Sequence, residues 1–183
     1  MDKLRGLAIG LLAAVLVVGS SLVWRAQENT AGSMRLVKMD VPGVASIGLQ
    51  RGGEFVALRL SPGADPMMAL DELAKQQKWA AASVVSVVGS LSKAAIRFAN
   101  VEGTEVLAGS FEIIGLSGTV SSNGSHLHIS IADSLGRMTG GHLMTGSRVR
   151  TTCELVLAVL PDMRFTREPD SLSGYNELVV RWK

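Results

Sequence analysis

The sequence predicts an α+β fold: one domain with a largely antiparallel sheet and few helices, preceded by an N-terminal hydrophobic helix. Three observations carry this. Within the globular part, a stretch starting at Asp65-Pro66 places apolar residues at helical spacing. Strand-like runs follow it one after another, joined by connections short enough for hairpins. Ahead of everything lies an uncharged run from Gly6 to Trp24, bounded by Lys3 and Arg5 on one side and Arg25 on the other.

Residues 1–25 read as a signal-anchor. At about 1.5 Å rise per residue the run approaches a bilayer crossing, and it exceeds the h-region of about 7–15 residues found in cleaved signal peptides. Trp24 beside Arg25 suits an interfacial anchor, and Lys3 and Arg5 would hold the N-terminus in the cytosol. The expected localisation is therefore a single-pass membrane protein. The alternative is a secreted or lumenal protein, cleaved at the small residues around Gly19-Ser20-Ser21. Residues 26–33 form a polar linker, and the globular domain spans 34–183.

Residues 55–60 alternate as a strand, and Ser61-Pro62-Gly63-Ala64 turns the chain. Asp65 then serves as N-cap with Pro66 at the first helical position. Met67, Leu70, Leu73 and Ala74 make the apolar stripe of a short helix ending around Lys78. Residues 82–88 are rich in valine and fit a strand buried on both faces. Gly89-Ser90 reads as a turn into a further strand over 91–99. Strands are expected over 105–115, continued by 116–120, then over 152–160 with Pro161 as the stop, over 165–168 and over 176–182.

Composition narrows the function classes. A net charge of +2 gives no electrostatic footprint for nucleic acid. The single cysteine, Cys153, excludes an intrachain disulfide and, at the head of an apolar run, reads as a buried, inert thiol. No nucleophile elbow, Walker loop or dinucleotide fingerprint is present. Asn123-Gly124-Ser125 matches a glycosylation sequon in a predicted loop.

All three histidines fall within residues 126–142, HLHISIADSLGRMTGGH. In a strand His126 and His128 point the same way, with Leu127 and Ile129 on the opposite face. Asp133-Ser134-Leu135-Gly136 reads as a turn that brings His142 back towards the pair. Three neutral imidazoles would make a metal site with one coordination position open. Histidines on a half-exposed strand are the bland alternative.

Beyond the histidines, GSL at 89–91, FEIIGLSGTV at 111–120, HLHISIADSLGRMTGGHLMTG at 126–146 and TTCELVL at 151–157 occur in order. Together they resemble the plants-and-prokaryotes-conserved (PPC) domain of plant AT-hook nuclear proteins and of free-standing bacterial and archaeal proteins. The resemblance covers roughly residues 52–177. It implies an antiparallel α+β fold that assembles as a homotrimer, and a metal site, with zinc as the expected ion, at His126, His128 and His142. The partner-binding hexapeptide GRFEIL of the plant proteins corresponds to Gly109, Ser110, Phe111, Glu112, Ile113 and Ile114. Ser110 replaces its arginine, so the strand-core reading of these residues competes with partner binding. The AT-hook, which needs an Arg-Gly-Arg-Pro core for the minor groove, is missing from this sequence.

Three functions follow. The first is a membrane-tethered trimeric module that binds a protein or small-molecule partner. The second is a zinc-dependent, hydrolase-type enzyme on the same histidines, with Glu154 as base or supporting carboxylate and Asp133 as a turn residue. The third is DNA binding, which the missing AT-hook disfavours. The chain reads as a non-enzyme, since no complete catalytic set stands out.

Overall fold

The protein is described by a computed structural model covering residues 34–36, 42–50 and 55–183. The expected hydrophobic helix over 1–25 and the linker over 26–33 lie outside the described residues. Among the described residues no helix is long and apolar enough to cross a membrane.

In chain order the elements are β1 (Met34–Leu36), β2 (Val44–Gln50), β3 (Phe55–Leu60), α1 (Pro66–Gln76), β4 (Ala82–Arg97), β5 (Glu105–Val120), β6 (His126–Ala132), β7 (Met138–Leu143), β8 (Arg148–Val159), β9 (Met163–Pro169) and β10 (Asn176–Trp182). Eight strands form one sheet in the order β1-β2-β3-β8-β4-β5-β6-β7, while β9 and β10 pair separately. Every pairing is antiparallel. The sheet turns back on itself at β7, whose Leu143 and His142 pair with Ile96 and Arg97 of β4. Strands β4, β5, β6 and β7 therefore close into a ring.

Helix α1 starts where the sequence places it. Asp65 Oδ1 accepts hydrogen bonds from the backbone N–H of Met67 (3.1 Å) and Met68 (3.3 Å), satisfying two of the orphan donors of the first turn. Its other oxygen, Oδ2, accepts from the Gly146 N–H (2.6 Å) and from Arg148 Nη1 (3.2 Å). One buried carboxylate thus caps the helix and ties it to the loop between β7 and β8. The helix buries Ala69, Leu70, Leu73 and Ala74 and ends at Gln76, two residues before the expected Lys78. The core beneath it includes fully buried Leu60, Leu91, Ile96, Leu127, Ile131, Leu143 and Leu157. Each such side chain contributes about 1.5–3 kcal/mol relative to exposure.

Two sequence expectations are corrected in β4. Gly89-Ser90 is not a turn: the strand runs unbroken across it, as does β5 across Gly115. Glycine is required at 89 because β8 passes too close for a side chain, with the position of an added Cβ 2.3 Å from the Thr152 carbonyl oxygen, and because φ there is +155°. Nor is residues 82–88 covered on both faces in the single chain, where Val85 and Val88 are 55% and 60% exposed. Cys153 is free and fully buried, as expected, and burial followed by the Glu154 charge pushes its thiol up to about 12.

Candidate metal centre

Strand β6 alternates with period two. Leu127, Ile129 and Ile131 are buried, so His126 and His128 project from the outer face of the ring. The turn after it forms as read: Asp133 Oδ1 accepts from the backbone N–H of Leu135 (2.8 Å) and Arg137 (2.9 Å), and Oδ2 pairs with Arg137. Strand β7 then returns with His142 directly opposite His128. An added Cβ at Gly141 would sit 2.7 Å from the Arg97 carbonyl oxygen and 2.9 Å from Ile96 Cγ2. The glycine before His142 is what lets β7 close onto β4, and this closure sets the third histidine in place.

The three imidazoles meet. His126 Nε2 lies 3.0 Å from His142 Nδ1 and 3.3 Å from His128 Nε2, and one ligand atom from each of the three lies within 4.8 Å of the others. Nitrogens held tetrahedrally about 2.0–2.1 Å from zinc stand about 3.3 Å apart, so this donor set fits such an ion with little movement. The electrostatics agree. Burial, then the Arg167 charge, lowers the pKa of His126, while burial and then Arg97 lower that of His142. Both shifts favour the neutral form, the state in which an imidazole nitrogen can ligate a metal.

A cleft of about 500 Å³ opens beside His126 and His142, lined among others by Arg97, Asn100, Ser125, Arg167, Tyr175 and Glu177. A smaller one of about 310 Å³ adjoins His126 and His128, with Arg167 and Leu178 on its walls. Arg97 arrives through the β4–β7 closure, while Arg167 and Glu177 come from β9 and β10. Sequence reasoning missed all three. They stand 25 or more residues from the nearest histidine, and only topology unites them with it.

The remaining expected residues lie elsewhere. Glu154 is on β8, opposite Arg59 of β3 and Val88 of β4; it lines neither cleft and accepts a hydrogen bond from Thr152 Oγ1 (3.2 Å). The carboxylate that lines the larger cleft is Glu177. Of the hexapeptide on β5, Ile113 is buried and Phe111 packs partly buried against the core, whereas Gly109, Glu112 and Ile114 are exposed. Asn123 of the sequon is exposed in the turn before β6, where its Nδ2 donates to the Phe165 carbonyl (3.0 Å).

Comparison with known proteins agrees with this architecture. The model of the Plants and Prokaryotes Conserved domain matches residues 49–161. A solved structure of a hypothetical protein from Salmonella enterica is 43% identical, with a TM-score of 0.70 over 72% of this chain and 95% of its own. A metal-containing protein from Archaeoglobus fulgidus, 23% identical, shares the fold with a TM-score of 0.60 over 82% of this chain and 99% of its own. The bifunctional protein GlmU of a Synechococcus strain is 46% identical over 124 residues, which is 68% of this chain and 20% of that protein. The chain thus spans about a fifth of the length of that relative.

Proposed function

The chain belongs to the Plants and Prokaryotes Conserved domain family, and we propose that it is a homotrimeric interaction module built around a zinc site at His126, His128 and His142. The observation that carries the reading is the convergence of three imidazole nitrogens on one outer face of the ring. Bound there, zinc would offer Lewis acidity at a position the three imidazoles leave open. The chain's own residues do the rest: Leu127 and Ile129 anchor the strand in the core, and Gly141 admits the closure that brings His142 across.

The exposed Val85 and Val88 on β4 and Ile114 on β5 support the trimer. The register on either side of them, Ser83↔Thr119 and Gly89↔Ile113, sets Val88 opposite Ile114, forming an apolar sheet surface that another copy would cover. Glu112 and Ile114 also offer the exposed part of the hexapeptide to a protein partner. The segment 1–25 tethers the module to a membrane in this reading.

A zinc-dependent hydrolase on the same site is the second reading, favoured by the position of Glu177. In it Glu177, rather than Glu154, would serve as the carboxylate base.

Elemental analysis of the full chain tests the metal reading. About one zinc per chain is expected, falling to background in the His126→Ala/His128→Ala/His142→Ala variant, which should also melt at a lower temperature. A metal-free parent whose triple variant keeps full thermal stability would sink the proposal.

A further inference from the structure

Resting on the metal reading above, we propose that Arg97, Arg167 and Ser125 form an oxyanion-binding wall beside the three histidines. The cleft would take a small ligand whose phosphate or carboxylate group lies between the guanidiniums and the imidazole cluster. Three independent features point there.

The first is charge without a partner. Among the described residues Arg97 and Arg167, like Arg59, Arg150 and Arg164, have no carboxylate within ion-pair distance, and these two are the arginines that line the clefts beside the histidines. Arg167 is oriented by a neutral partner, donating from Nη2 to Thr119 Oγ1 at 3.1 Å, which leaves its charge uncompensated. A guanidinium presents a planar fork of donors suited to two oxygens of one anion.

The second is an unsatisfied hydroxyl. Ser125 lines the same cleft, and its Oγ is buried with no hydrogen-bond partner among the described residues. A buried polar atom left so is costly unless a ligand or solvent meets it.

The third is closeness to the histidines. Arg97 sits directly across from His142 in the β4–β7 ladder, and Arg167 shares both clefts with His126. Glu177 is the opposing charge on this wall. Two guanidiniums outweigh one carboxylate, and a bound divalent ion would add to the excess, so the cleft favours negative charge. Its volume of about 500 Å³ lies within the range of small-molecule sites and admits a ligand larger than the anion alone.

The test uses the full chain loaded with cobalt(II), whose visible absorption reports on the histidine site. Inorganic phosphate and acetate are titrated separately, at constant ionic strength, into the parent and into Arg97→Gln and Arg167→Gln. The expected result is a saturable spectral change in the parent. With cobalt held at saturation so that parent and variants are equally loaded, apparent affinity should fall about ten-fold or more in each variant, the loss of one charged hydrogen bond. Preference for phosphate would assign a phosphorylated ligand, and preference for acetate a carboxylate ligand. A normal cobalt spectrum that ignores both anions, or variants that titrate like the parent, would overturn the oxyanion wall and leave the metal site standing. Failure of the parent to bind cobalt would overturn both.

Discussion

His126 and His142 are lowered in the folded protein chiefly by burial, with the nearby guanidiniums adding to it. In the unfolded chain each titrates near the ordinary 6.5. Between that value and the lower folded one the unfolded state binds more protons, so stability rises with pH across this window. The stabilisation is complete above about 6.5 and is lost as pH falls below it. The thermal stability of the metal-free protein should therefore fall on going from pH 7 to pH 5. Replacing His126 and His142 with Gln should flatten that dependence. An unchanged slope would contradict the burial of these rings in a positive surrounding. At this scale the histidines were legible because H-x-H and GGH are local patterns on a predicted hairpin. Arg97, Arg167 and Glu177 were not, since nothing near them in sequence marks a site. Glu154 attracted attention as the acid on the following strand, but that strand joins β3 and β4, away from β6 and β7.

Among the elements, α1 depends on one residue more than its length suggests. Asp65 caps the first turn, receives the Gly146 N–H and faces Arg148, all while 8% exposed. Asp65→Ala should cost about 2–4 kcal/mol, combining a lost cap with donors and a cation left without their carboxylate. Asp65→Asn should recover part of this, since an amide oxygen can still cap. Denaturant titration of the three proteins checks both, and an alanine variant within 0.5 kcal/mol or so of the parent would contradict the double role. The N-cap half of that role was readable from Asp65-Pro66, a local signal. Its long-range half was not, because Gly146 lies far along the chain. Glycine explains the misread strand: Gly89 serves close approach of β8 rather than a turn, and the two uses look alike in sequence.

At the scale of the whole molecule, antiparallel pairing with one helix followed from patterning alone, since alternation and hairpin-length connections are local properties. The closure of β7 onto β4 did not, being a contact between residues distant in sequence. Nor did the pattern of 82–88 reveal that one face stays open in a single chain. If a second copy covers that face, Val88→Glu with Ile114→Glu should convert a trimer to monomers in sedimentation equilibrium without loss of fold by circular dichroism. A parent that sediments as a monomer would contradict the assembly. The central claim, however, is that the ring brings three histidines to one ion, and zinc K-edge absorption fine structure on the full chain tests it most directly. The account predicts three imidazole nitrogens at about 2.0–2.1 Å, with a lighter oxygen ligand in the remaining position. Zinc lost on gel filtration, or held by sulfur or by carboxylates alone, would contradict it.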